Sequence, residues 1–331
     1  YKIDPMLAAL VNATSGVALE MDEGNRFGGG HPSIHVLPGA IAVAEEIGAN
    51  GQQLIESVLV GYEIESRMGA ATKTRFNVHS HGHWGTIGTA VAVAKLNGYT
   101  AKQIRDVINI AGSMSPANSW TPAFEGATVR NLYPGRSGMQ GILATHIFEC
   151  GFTGLDDGPS DIFGTILGDK FDPNIAVAEL GDEYRIQKNY FKFYACCRFN
   201  HPALDAALDI RSRYKFSPKE IDSVPIVAHA MLDGMLGGYP KNMLAAKFNV
   251  PYAVAAALVT GSLDVGAFYD NTRDNQQIRE IASKVEVTVD PAIQQDGSQV
   301  RVTVNLKDGQ SLESFTSIVR GDYGNRVPRA E

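Results

Sequence analysis

Residues 85–96 read GTIGTAVAVAKL, a run of small and aliphatic side chains broken by a single charge at Lys95. Small residues let helix backbones approach closely, so this stretch predicts a helix buried on every side. Working outward, residues 5–21, 33–47, 51–68, 101–111 and 137–150 show apolar side chains at helical spacing. Leu7, Leu10, Val11, Val17 and Leu19 carry the pattern in the first of them. Gly48, Gly98 and Gly151 stand where helix ends are expected. No segment of this half alternates convincingly as a strand, which disfavours a doubly wound sheet.

After about residue 181 the texture changes. Residues 224–230, 284–289, 300–306 and 312–319 are β-branched with partial alternation, and Lys307-Asp308-Gly309-Gln310 supplies hairpin turn chemistry. Helices are expected between them at 203–213, 244–258 and 275–283, giving an α+β part with a small antiparallel sheet. There is no internal repeat and no low-complexity linker.

The chain of 331 residues suggests two domains or one large one and can bury a sizeable core without staples. Hydrophobic residues at 44% and charged residues at 20% are globular values that disfavour disorder. A net charge of −7 disfavours nucleic acid or an anionic membrane surface as partner. An anionic substrate would need a locally positive site. No apolar run approaches the roughly 20 residues that span a bilayer. Cys150, Cys196 and Cys197 form no disulfide ladder or zinc spacing. The expectation is a soluble cytoplasmic protein.

Five polar clusters could carry chemistry. In Glu20-Met21-Asp22-Glu23-Gly24-Asn25, followed by Arg26, Phe27, Gly28 to Gly30 and His31-Pro32, the glycines permit tight turns and Ser33 is a good helix N-cap. No Gly-Lys-Ser/Thr follows, so a phosphate loop is disfavoured, and a solvated acidic turn with a structural histidine remains open. His79, His81 and His83 alternate; on an extended segment they would share a face and could hold a metal, as in a metal-dependent hydrolase. No accompanying carboxylate pattern supports that, and a histidine near pKa 6.5 also suits acid–base work.

Arg130 to Arg136 is a basic segment before an expected helix, readable as an anion site or a surface loop. Lys192 to Pro202 sets basic and polar groups among aromatics, with Cys196 and Cys197 showing no sign of activation. Lys247-Phe248-Asn249-Val250-Pro251-Tyr252 opens an apolar helix in which Tyr252 could equally be a core residue with a satisfied hydroxyl.

In their order these elements resemble the MmgE/PrpD family, whose members include 2-methylcitrate dehydratase, cis-aconitate decarboxylase and iminodisuccinate epimerase. The resemblance rests on the helix and acidic stretch of residues 12–25, on Gly30-His31-Pro32-Ser33, on Gly61-Tyr62-Glu63, on Gly151-Phe152-Thr153-Gly154 and on Ala246 through Ala253. It implies a mainly α fold: a large all-helical domain, residues 1–187, plus a smaller α+β lid domain, residues 188–331. It also implies a homodimer and a pocket between the domains needing neither metal nor organic cofactor. By the same resemblance the chain is expected to lack helices that normally precede Asn12 and the segment that follows the last lid strand.

Carried over position by position, the resemblance places His79 at the family's catalytic histidine and Glu20 at its first active-site aspartate. Gly24 or Asn25 takes the place of a threonine, and His31 matches directly. Arg130 replaces a lysine, and Lys192 and Tyr252 match a later lysine and tyrosine. His81 and His83 occupy positions usually held by small or hydroxyl residues, which hints at a substrate different from the best-known one. The resemblance implies a lyase acting on a small polycarboxylate, with His79, Tyr252, Glu20 and Lys192 catalytic and His31, Arg130, Asn25 and His81 binding substrate. Dehydration of a 2-methylcitrate-like hydroxy acid ranks first, then epimerisation of a dicarboxylate such as iminodisuccinate, then decarboxylation. A non-catalytic polycarboxylate-binding protein is the alternative from another class.

Overall fold

The computed structural model describes residues 2–293 and 298–328, and the protein is mainly helical. It divides into two units: Tyr1–Ala18, Asp22–Trp120 and Val129–Tyr190 form the first, and Leu19–Met21, Thr121–Thr128 and Phe191–Glu331 the second.

The first unit opens with α1 (Pro5–Ala18), α2 (Pro32–Ile47) and α3 (Gly51–Ala71). A three-residue strand, β1 (Thr72–Thr74), precedes α4 (Gly85–Leu96) and α5 (Ala101–Ser113). A single turn, α6 (Thr121–Glu125), belongs to the second unit. The first is completed by α7 (Leu132–Glu149), the short α8 (Gly158–Asp161), β2 (Gly168–Phe171) and the short α9 (Pro173–Val177).

As the sequence suggests, α4 is the buried centre, with every residue but Lys95 buried and α2, α3, α5 and α7 packed around it. Trp84, Ile87 and Val91 face a core with Val107, Ile110 and Phe163 on one side. Ala92, Val93 and Leu96 join Val36, Ala40 and Ile142 on the other. The close approach is made by absent side chains. A Cβ on Gly61 of α3 would lie 2.6 Å from the Gly88 carbonyl oxygen of α4, and one on Gly141 of α7 would lie 2.6 Å from Thr89 Cβ.

Several boundaries differ from expectation. α1 stops at Ala18 rather than near 21, and Glu20 beyond it has a left-handed φ of 55°. α7 begins at Leu132, so Tyr133 to Arg136 are helical and Arg130 sits in the 3-10 turn Thr128–Asn131. Pro134 is tolerated there because nitrogens of a first helical turn have no intrahelical acceptor. The N-cap of α2 is His31 rather than Ser33, with Pro32 opening the helix. β1 and β2 form a small antiparallel pair that the sequence did not announce, being only three and four residues long.

In the second unit α10 (His201–Arg213) and β3 (Ile221–Ala228) are followed by α11 (Met243–Lys247), α12 (Val250–Thr260), α13 (Asp270–Arg273) and α14 (Gln276–Ala282). The strands β4 (Val285–Val289), β5 (Val300–Leu306) and β6 (Ser311–Thr316) complete it. The helix expected over 244–258 is two helices, because Asn249 leaves the helical path and its side chain caps the Tyr252 nitrogen. The sheet order is β4-β3-β5-β6, and it is mixed rather than antiparallel. β4 runs parallel to β3 because the chain crosses through helices between them, whereas β5 and β6 join by a turn at Gly309 with φ 92°.

Helix propensity alone would favour alanine over glycine by about 1 kcal/mol. At Gly61 the contact with the Gly88 carbonyl is expected to reverse that sign, so that Gly61→Ala destabilises the protein by about 1–3 kcal/mol. Gly51→Ala, where a Cβ meets nothing within 4 Å, is expected to be neutral or stabilising. Urea unfolding of both variants checks this; equal midpoints would show that the close approach does not set stability.

Candidate functional site

The first unit gathers five histidines and three carboxylates around the loop that enters α4. Residues 79–84 lie in a turn, with Gly82 at φ 95°, where a Cβ would crowd Asn118 Nδ2 and the Tyr133 carbonyl oxygen, each 3.0 Å away. This turn buries His79, His81 and His83. The three do not converge: His83 turns away and donates from Nδ1 to the Pro116 carbonyl at 2.5 Å. A shared metal site of these three histidines is therefore not what the turn builds.

Two backbone amides determine where the protons sit on the other two. An N–H can only donate, so the ring nitrogen that receives it carries no proton. The His81 amide donates to His79 Nδ1 at 3.0 Å, which leaves the proton of neutral His79 on Nε2. The Gly82 amide donates to His35 Nε2 at 3.1 Å, so the His35 proton is on Nδ1, directed at Glu65 Oε1 2.6 Å away. His81 Nδ1 also lies 3.2 Å from that same His35 Nε2 acceptor. Taking His81 Nδ1 as a second donor sharing that nitrogen's one lone pair leaves the His81 lone pair on Nε2.

Burial, then the Arg130 and His31 charges, holds His79 well below the usual histidine range. Burial, then His31 and Arg130, does the same to His81, so both rings are neutral at neutral pH. His79 stacks on Trp120 at a centroid distance of 3.8 Å and meets the edge of Tyr133. Its Nε2, like that of His81, has no hydrogen-bond partner among the described residues. Arg130 is buried in the same unit.

His31 donates from Nδ1 to the Glu23 carbonyl and faces Asp22 Oδ2, both at 2.9 Å. Asp22, His31 and His81 are close enough for a metal ion to be considered. The ring geometry argues against it, because His31 and His81 stack with planes 1° apart and centroids at 4.4 Å. Imidazole lone pairs lie in the ring plane, and parallel stacked planes share no point where one ion could meet both.

The acidic stretch is not a solvated turn. Glu23 is buried, receives the Tyr62 hydroxyl, and accepts the Ser33 amide at 3.1 Å, serving the first turn of α2 in place of an N-cap side chain. The Asn25 amide is committed to the loop: Oδ1 accepts Gly28 N at 2.9 Å and Nδ2 donates to the Arg185 carbonyl at 2.7 Å. Asn25 thus shapes the glycine turn, and its side chain bonds protein groups within the first unit.

The remaining expected residues lie in the second unit. Lys192 Nζ pairs with Glu20 Oε2 at 3.0 Å, with both side chains only 1% exposed. Lys247 Nζ donates to the Leu19 carbonyl at 3.0 Å, so two lysines hold residues 19–21. Tyr252 donates its hydroxyl to the Ala267 carbonyl inside the core, the satisfied arrangement that its apolar helix left open. Burial pushes the Cys196 thiol far above its ordinary value, which keeps it an inert core group. His35 and Glu65 escaped the sequence reading. The signal for His35 was its spacing of four from His31 at the start of a helix. Glu65 stands on a helix beside Glu63 and Arg67, which already form an i,i+4 pair at 2.7 Å and explain the charge of that segment without it.

Two family models match this chain. The MmgE/PrpD N-terminal domain model matches residues 1–165 and the MmgE/PrpD C-terminal domain model matches residues 194–331. The chain belongs to the MmgE/PrpD family. Its relatives include the cis-aconitate decarboxylase of Aspergillus terreus, 24% identical over 359 residues that cover 99% of this chain and 72% of the relative. The cis-aconitate decarboxylase of Mus musculus is 24% identical over 98% of this chain and 69% of its own length. That of Homo sapiens is 25% identical over 97% and 70%. No described helix is long and apolar enough to cross a bilayer.

Burial raises Glu23 from 4.5 to about 7 against the hydrogen bonds from Tyr62 and Ser33, which lower it. Between those values the native state holds more protons than the unfolded chain. The stabilisation from this group is therefore complete below about 4.5 and is lost as pH rises through about 7. Glu23→Gln is expected to flatten the fall of Tm across this window in a pH series of thermal melts. Parallel slopes in the two proteins would exclude Glu23 as its source.

Proposed function

We propose that this MmgE/PrpD protein is a lyase acting on a small polycarboxylate without a metal or organic cofactor. The observation that carries the reading is the set of contacts from which complementary protons are assigned to His79 and His81. Neutral His81 presents an unprotonated Nε2, able to take a proton from carbon beside a carboxylate. Neutral His79 presents an Nε2–H, able to donate a hydrogen bond to the enediolate oxygen as charge develops. Arg130 supplies a permanent planar cation for a carboxylate, and its burial strengthens that hold.

On this reading His79 acts as a neutral hydrogen-bond donor rather than a proton shuttle, since losing its Nε2 proton would leave a costly imidazolate. His81 does the proton work. It removes the α-proton, and the same proton then leaves with the departing hydroxide as water, returning His81 to its neutral form. Dehydration of a 2-methylcitrate-like hydroxy acid, a hydro-lyase reaction, uses both halves of the pair. Epimerisation needs a second base that the described geometry does not supply as readily. Decarboxylation is the second reading, favoured by the names of the relatives; it requires a protonated donor, which a neutral His81 is not.

Incubation of the protein with a panel of small polycarboxylates in D₂O, followed by proton NMR, separates these reactions. An alkene is expected from a hydroxy tricarboxylate; CO₂ release from an unsaturated one would move decarboxylation to first place. Exchange of an α-proton without loss of mass would indicate epimerisation, and no turnover of any member would overturn the lyase reading. His81→Gln is expected to lower the rate by about 10²–10⁴-fold, as for loss of a positioned base. His79→Gln is expected to cost about 10²–10³-fold, as for loss of one preorganised donor. Full activity in either variant would remove that residue from the reaction.

A further inference from the structure

The geometry points to Glu65 and His35 as a positioning pair that holds His81 in the tautomer with an unprotonated Nε2. The inference rests on the lyase reading for its consequence, while its structural content stands apart from it. His35 and Glu65 side chains are wholly buried, and they touch at 2.6 Å, a charge-assisted distance. They come from different helices, His35 from α2 and Glu65 from α3, and meet beside Gly88 of α4, where a Cβ would lie 2.5 Å from Glu65 Oε2. The glycine is what makes room for the carboxylate.

Such a pair is costly without a purpose. Burial pushes Glu65 above the usual carboxylate range, the hydrogen bond from His35 opposes this, and Oε2 accepts no hydrogen bond among the described residues. A hydrophobic pair of similar volume would pack the same helices without that penalty. What the pair provides is direction. Glu65 fixes the His35 proton on Nδ1, and the Gly82 amide keeps Nε2 free of one. That acceptor holds the His81 proton on Nδ1 at 3.2 Å, and the His81 lone pair is left on the far nitrogen. When His81 takes a substrate proton on Nε2, the Glu65 carboxylate two rings away offsets the new charge. His81 is then the catalytic residue, and His35 and Glu65 act through it.

Selective ¹⁵N labelling of the eight histidines and long-range ¹H–¹⁵N correlation read each tautomer directly in the unmodified protein, without any substrate. The expected spectrum has His81 as the Nδ1–H form and His79 as the Nε2–H form, assigned by loss of one signal in each single variant. His81 as the Nε2–H form would overturn the inference. His35→Leu removes the acceptor and is expected to convert His81 to a mixture or to Nε2–H, with His79 unchanged as an internal check on folding. His35→Gln places an amide oxygen near the lost Nε2 and is expected to restore Nδ1–H. A His81 tautomer indifferent to both changes would also overturn it. With a turned-over polycarboxylate in hand, Glu65→Gln is expected to lower kcat at least tenfold with KM within twofold; an unchanged kcat would remove Glu65 from the pair. If the panel shows no turnover, the lyase reading fails while the tautomer spectra still decide the positioning role.

Discussion

The spacing between α3 and α4 is the constraint on which both packing and chemistry depend. It is set by glycines, Gly61 on one helix and Gly88 on the other, each facing the backbone of its neighbour. With a methyl group at either place the helices would separate. Because Gly88 also faces Glu65, the same separation would move a buried carboxylate away from the histidine it orients. Stability and proton placement are therefore coupled at one contact. A substitution there would be felt first as lost packing and second as a misdirected imidazole.

The helical half was legible in the sequence for the same reason. A run such as GTIGTAVAVAKL has few ways to fold other than at the centre of a bundle, and 3.6-residue periodicity placed its neighbours. Errors fell where local chemistry overrode periodicity. Asn249 and Pro251 divided an apolar run into two helices, and a first-turn proline let α7 begin five residues before its expected start. The parallel placement of β4 was not legible, since β-branched strands look alike whichever neighbour they choose, and only the helical crossover decides it.

The candidate site was legible in part. His31, His79, His81 and Arg130 share the first unit, and His79 and His81 both feel the fields of His31 and Arg130. Asn25 and Tyr252 have side chains bonded to protein carbonyls, which sequence position could not reveal. His35 and Glu65 were hidden for a physical reason. Buried polar pairs are made by residues distant in sequence, and each member alone looks like an ordinary helix residue. Glu65 resembled the solvated charge of an i,i+4 helix pair until α2 delivered His35 to it.

On the proposed lyase reading, His81 changes what kind of catalyst the turn can be. With only His79 the loop would offer a neutral donor fixed by a backbone amide and nothing to remove a proton. Adding His81 introduces a lone pair, but a buried imidazole is a weak base, because desolvation opposes its cationic form. A counter-charge must accompany it if proton abstraction is to proceed. Asp22 Oδ2 stands 3.8 Å from His81 Nε2, on the side where a proton would arrive, and is bound to His31. Glu65 reaches His81 from the opposite side through His35. A base placed between two carboxylates, one held by each neighbouring histidine, can accept a proton in a buried site where an isolated imidazole would resist it.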